Sequence, residues 1–148
     1  ELALEQGDAL LRGLDLAASL TYVDSTIVSN PSFRDVNNLL SDVRGKATPN
    51  IPVWKGSTLA SYRVAERWTH SLGARYSSHI WATIDNTDYN HNTYQGFAGY
   101  FVMDARMHYK LDQRTSLAVG IDNLNNRKYF LFHPMMQRTL MAELKLAL

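Results

Sequence analysis

Residues Thr139 to Leu148 fall into two rows, with Leu140, Ala142, Leu144, Leu146 and Leu148 on one side and Thr139, Met141, Glu143, Lys145 and Ala147 on the other. A period of two is the mark of a β-strand with one apolar and one polar face, because successive side chains point to opposite sides of the pleat. No α-helix reading preserves this separation, since residues two apart on a helix lie on nearly opposite faces.

The same pattern recurs upstream. From Phe101 to Leu111 the apolar row is Phe101, Met103, Ala105, Met107, Tyr109 and Leu111, and Val102, Asp104, Arg106, His108 and Lys110 oppose it. From Leu14 to Tyr22 the apolar row is Leu14, Leu16, Ala18, Leu20 and Tyr22. Trp54 to Val64 and Trp68 to Ile80 are weaker copies, broken by Leu59 and His70 respectively. Leu117, Val119 and Ile121 alternate with Ala118, Gly120 and Asp122, and Leu2 and Leu4 alternate with Glu1, Ala3 and Glu5. The spacing therefore predicts seven strands. Their connections alternate in length. Short turns fall near Gly7 to Gly13, Ala65 to Arg67 and Asp112 to Arg114, and long polar loops span Ser25 to Ile51, Trp81 to Gly99 and Asn125 to Arg138. Apolar-out, polar-in strands joined by short turns on one rim and long loops on the other make an all-β, antiparallel up-and-down transmembrane β-barrel. Aromatic residues near the strand ends, Trp54, Trp68, Tyr22, Tyr62, Tyr76, Phe101 and Tyr109, match the interfacial girdles of such barrels.

Composition removes competing classes. No stretch approaches the roughly 20 apolar residues of a transmembrane helix. A formal charge of +1 and the lack of any basic run give no footprint for nucleic acid. Zero cysteines exclude a disulfide framework and thiolate zinc sites. A mean hydropathy of −0.27 does not argue against membrane insertion, because an average over the chain is blind to alternation. There is no GxSxG elbow, phosphate-cradling glycine loop or HExxH helix, so the chain reads as non-enzymatic. With 148 residues there is room for a single domain. Parity predicts that this domain is shared with other strands: bacterial single-chain barrels close with an even number, and seven does not close. Open edges in hydrocarbon leave backbone groups unpaired at several kcal/mol each. An eight-stranded barrel would also be too narrow for Asp104, Arg106, His108, Lys110, Glu143, Lys145, Arg63 and Arg75 together. The sequence opens at Glu1 straight into an alternating stretch, as expected if a signal peptide has been removed or if the first residues of a longer protein are missing. The expectation is that residues 1–148 are the C-terminal part of a wider, water-filled barrel.

These residues resemble a known family. The segment IDNLNNRKY at Ile121 to Tyr129, the loop FHPMMQRT at Phe132 to Thr139 and the closing AELKLAL look like the C-terminal end of TonB-dependent outer-membrane receptors. Gly13 to Asp24 and Thr48 to Trp54 are similar to strand and loop-exit patterns of the same family. The resemblance implies a 22-strand barrel in the bacterial outer membrane, filled by an N-terminal plug that this sequence does not contain. It implies import of a scarce nutrient, most often a ferric siderophore, driven through the inner-membrane TonB complex. No resident cofactor is implied. One departure is Leu148, where such barrels usually finish on Phe, Tyr or Trp.

On this reading the ligand-contact candidates lie in the long loops and on the polar wall: His79, His91, Tyr94, Arg106, His108 and His133. The histidines, with Met135 and Met136, follow no local metal-ligand spacing. The charged row around Arg106 serves equally as a hydrated wall of cross-strand ion pairs. Tyr89, Tyr94, Phe97, Tyr129 and Phe130 either stack on an aromatic ligand or order a loop. Two other functions use the same alternation. One is a small passive outer-membrane barrel or adhesin. The other is a soluble lipocalin-like binder with the apolar row turned inward, which would be monodisperse in plain buffer.

Overall fold

The structure is a computed structural model that describes residues 1–147. Seven strands form one antiparallel sheet: β1 (Leu2–Gln6), β2 (Leu14–Tyr22), β3 (Trp54–Val64), β4 (Trp68–Ser77), β5 (Tyr100–Lys110), β6 (Thr115–Asp122) and β9 (Thr139–Leu146). Between the last two lies a small hairpin, β7 (Phe130–Leu131) and β8 (His133–Pro134), that the alternation did not announce. Each long strand pairs with its neighbours in sequence, which makes the sheet an up-and-down meander, and no helix occurs among the described residues.

Register joins the rows into faces. Leu4 lies opposite Ala18, Ala18 opposite Thr58, Thr58 opposite Ala74 and Ala74 opposite Met103. Farther along, Met107 lies opposite Val119 and Val119 opposite Ala142. Because directly opposed residues share a face, the apolar rows merge into one surface across all seven strands. It is bare: Leu2 is 72% exposed and Leu140 73%. His70, the break in the β4 row, sits on this surface with its ring parallel to Trp68 at 6.1 Å.

On β3, β4 and β5 the surface carries aromatic pairs eight residues apart: Trp54 and Tyr62, Trp68 and Tyr76, Phe101 and Tyr109. Eight residues of strand span about 26 Å, or about 20 Å in height at the tilt usual for membrane barrels. Tyr22 packs on Trp54 at 4.6 Å and Trp68 on Tyr109 at 4.2 Å, so each end of the band is laced across strands.

The opposite face is polar and paired. Arg63 bonds Asp15 across β2 and β3, Arg75 meets Asp104 at 2.9 Å across β4 and β5, and Arg106 meets Asp122 at 2.7 Å across β5 and β6. Half-exposed pairs of this kind contribute a fraction of a kcal/mol each. Their larger effect is to keep charges off the other face, since slipping one residue would exchange the two rows.

Strand ends differ slightly from the alternation. Ile80 and Leu111 continue the apolar rows but lie beyond the strands: the Ile80 N–H bonds Phe97, and the Leu111 N–H closes a turn onto Thr115. Leu148 lies outside the described residues.

Candidate functional site

The long connections all emerge at one end of the sheet, and they are sewn together there. Asn86 is buried; its side-chain oxygen accepts the Ala47 N–H at 2.8 Å and its amide donates to the Ala47 and Thr83 carbonyls at 3.1 Å. This clasp ties the β2–β3 connection to the β4–β5 connection, and the Asn50 N–H adds a bond to the Trp81 carbonyl at 2.8 Å. The β4–β5 connection is tied in turn to the hairpin of β7 and β8. Ala98 donates to Phe130, Phe132 to Gly96 and Gln95 to Phe132, at 2.9, 2.9 and 2.7 Å.

Beneath this junction a small apolar core of Ala98, Val102 and Tyr129 forms, with Tyr100 and Leu131 packed against it. Val102 points from the polar side of β5, so the core lies on the inner wall and not on the apolar surface. Tyr129 stacks on Tyr100 at 4.6 Å, and burial, followed by the neighbouring Tyr100, raises its phenol above the usual range, with Arg75 opposing. Tyr129 therefore orders a loop. Asn123, also buried, anchors the start of that loop: its side-chain oxygen accepts the Arg127 N–H at 2.7 Å, and its amide donates to Arg127 and Met136 carbonyls at 2.8 and 3.2 Å. Its own N–H reaches Asp104 at 2.9 Å.

The six candidate side chains separate into three places. His79 and His91 stack at 4.2 Å, Trp81 meets both edge-on at 5.2 and 4.8 Å, and Tyr89 meets Trp81 at 6.1 Å. The Nδ1 of His91 is shut off from solvent with no hydrogen-bond partner. Burial, then the adjacent His91, lowers the His79 pKa, and Asp88 opposes weakly. Asp88 itself accepts the Ala82 N–H and the Thr83 hydroxyl, both at 2.8 Å. Gly96 permits this packing, because a Cβ there would lie 2.6 Å from the His91 carbonyl oxygen.

Tyr94 and His133 form a second group at 5.3 Å, with Phe132 5.0 Å from His133. Arg106 and His108 lie down the wall, six and eight residues along β5 from Tyr100, about 20 and 26 Å by strand rise. Arg106 is committed to Asp122 and lies across Gly120, where a Cβ would come within 2.5 Å of it. Among the described residues no three His, Cys, Asp or Glu side chains are grouped to hold a metal ion. What the mouth offers is aromatic faces, with imidazoles as donors or acceptors. Such surfaces suit stacking and hydrogen bonding of a ligand.

Sequence reasoning missed Asn86 and Asn123, whose hydrogen bonds reach 39 and 19 residues along the chain. The Asn-rich run from Asn123 to Asn126 was a usable signal, since asparagine side chains close turns on their own backbone.

Comparison with known proteins agrees with this architecture. Over 118 residues the chain is 26% identical to the probable TonB-dependent siderophore receptor PiuA of Acinetobacter baumannii, covering 78% of this chain and 15% of that protein. Over 131 residues it is 25% identical to the metal-pseudopaline receptor CntO of Pseudomonas aeruginosa, covering 86% of this chain and 16% of that one. The chain thus spans about a sixth of the length of these relatives. The crystal structure of PiuA superposes with a TM-score of 0.71 at 22% identity, covering 95% of this chain and 19% of PiuA. The unliganded ferric citrate transporter FecA gives 0.71 at 24% identity, covering 92% of this chain and 21% of FecA. Residues 1–124 match the family model described as TonB dependent receptor-like, beta-barrel. Members of that family are receptors and transporters, not enzymes. With a matching family model over most of its length and a matching seven-stranded wall, this chain belongs to the TonB-dependent receptor β-barrel family.

Proposed function

We propose that residues 1–148 are the C-terminal wall of a TonB-dependent receptor that sits in the bacterial outer membrane and imports a metal chelate of the ferric siderophore class. The observation that carries this reading is the continuous bare apolar surface backed by a paired polar wall. The core on the polar side argues that this side turns inward, which disfavours a lipocalin-like arrangement with leucines enclosed. The open edges of β1 and β9 call for further strands of a closed barrel, 22 in the resemblance above. The names of PiuA and CntO, a siderophore receptor and a metal-pseudopaline receptor, support a chelate as cargo. In this reading the stitched loop mouth contacts the ligand through His79, His91, Tyr94 and His133, while Arg106 and His108 line the wall below. A plug outside this sequence communicates with TonB. Differential affinity for two loop and plug arrangements couples binding to release.

The test is uptake of radioiron-loaded siderophores by cells whose only receptor is the one carrying this segment. Accumulation that stops when TonB is deleted or the proton-motive force collapses is the expected result. Equal accumulation with and without TonB rejects energy-coupled import.

A further inference from the structure

The two limbs of the β4–β5 connection, residues 78–99, are held in different ways. The outgoing limb is tied twice to the β2–β3 connection, by the Asn50 N–H on the Trp81 carbonyl and by Asn86 on Ala47. The end of the returning limb is tied to the β7 and β8 hairpin through Gln95, Gly96 and Ala98. Between these anchors, among the described residues, no backbone hydrogen bond joins Asn90, His91 or Asn92 to another segment. Rings hold that stretch instead. His91 lies against His79 at 4.2 Å, the planes 27° apart, and meets Trp81 edge-on.

This grip tolerates one proton between the two imidazoles but not two. A second would place like charges a stacking distance apart. In the cationic form both ring nitrogens are donors, and the Nδ1 of His91 faces neither an acceptor nor water. An unmet donor is costlier on a charged group than on a neutral one. The surrounding charges do not cancel this. On the same connection Asp88 favours a proton on His79, but its oxygens are engaged by Ala82 and Thr83, and Asp85 accepts from Thr87. Arg127, from the connection between β6 and β9, lines a cavity together with His79 and disfavours the proton. β5 adds the neutral Tyr100 to that cavity, and the β2–β3 connection brings Ala47 and Asn50, with Lys46 beside Ala47. The lowered His79 pKa agrees with the geometry.

We propose that the His79–His91 stack is a proton-operated latch on the loop mouth, closed at neutral pH and released in acid when both rings are charged. Paired histidines suit such a role because their charge changes just below neutrality. Release frees the stretch that leads into Tyr94 and draws that ring from His133. Gly96, packed on the His91 carbonyl, passes the movement to Phe132. That this alters ligand access rests on the ligand-contact reading given above; the latch itself does not.

The experiment uses the whole receptor containing this segment, in lipid vesicles and without ligand, with a nitroxide attached at Asn92→Cys. A label at Asn37→Cys, on the β2–β3 connection, is the control. Electron paramagnetic resonance spectra are compared at about pH 7.5 and about pH 5, on either side of the ordinary imidazole range. The expected result is a severalfold, reversible rise in the mobile fraction at Asn92 in acid, with no change at Asn37. His91→Phe and His79→Phe each keep a stacked ring that cannot take a proton, and in both the rise is lost. Should one variant fail to fold, the other decides. No rise in the unaltered receptor, an equal rise in the phenylalanine variants, or an equal rise at Asn37 each overturns the latch. No siderophore enters this measurement, so uptake that proves independent of TonB rejects import and leaves the latch standing, whereas a missing rise removes only the latch.

Discussion

His79 and His91 show how two ordinary side chains acquire a shared property. Stacked rings at 4.2 Å under Trp81 cannot both carry a proton without like-charge repulsion, and burial adds to the cost. With the His79 pKa lowered from 6.5, the unfolded loop binds protons more readily than the folded one between that value and the lower folded pKa. The contribution of this stack to loop stability is thus fully present above about pH 6.5 and is lost as pH falls through the folded pKa. NMR titration is expected to give His79 a midpoint below 6.5, moving upward in His91→Phe; an unchanged midpoint in the variant would remove His91 as a cause. On the β2–β3 connection, Asp42 is drawn down to about 2, first by the Arg44 side chain and then by the Arg44 backbone N–H. That pair is solvent-exposed and stays intact across the range in which His79 titrates.

At the scale of the strand, the aromatic pairs assign depth. Leu72 lies midway between Trp68 and Tyr76 on the apolar face, so Leu72→Arg places a charge near mid-bilayer at a cost of about 2 to 4 kcal/mol. Ala118→Arg, on the polar face opposite His108 and Glu143, is expected to change stability little. Unfolding in lipid vesicles measures both, and equal effects would refute the assignment of faces. For the loop after β6, Asn123→Ala strands two carbonyls and one N–H, lowering the free energy of local opening by about 2 kcal/mol. Faster limited trypsin cleavage after Arg127 and Lys128 reports that opening, and an unaltered rate would show that another contact latches the loop.

The strands were legible because a period of two is imposed on every residue by a face that must stay apolar, and even the breaks at Leu59 and His70 left the register intact. The mouth was far less legible. Phe97 bridges Leu131, Tyr100 stacks on Tyr129 and Asn86 grips Ala47, contacts between segments that share no periodicity. Individual candidates such as His79 and Tyr94 could be named from their loops. Their division into separate groups required the fold, because His79 and His91 meet only where their own connection doubles back, while Tyr94 and Arg106 are closed by His133 and Asp122 from later in the chain.

For the molecule as a whole, the exposed surface and the two open edges set the behaviour of the isolated chain. Produced alone in detergent-free buffer, residues 1–148 are expected to associate through the edges of β1 and β9 and through the bare leucines. Sedimentation velocity checks this, and a single monodisperse monomer would contradict the membrane assignment. The eight-residue aromatic spacing has a consequence for the surroundings. Tyrosine and tryptophan rings at both levels resist being pulled fully into oil or fully into water, so the wall acts like a hull with two painted waterlines. In a membrane of another thickness the lipid must stretch or thin to meet those lines, and each copy travels inside its own collar of adjusted bilayer.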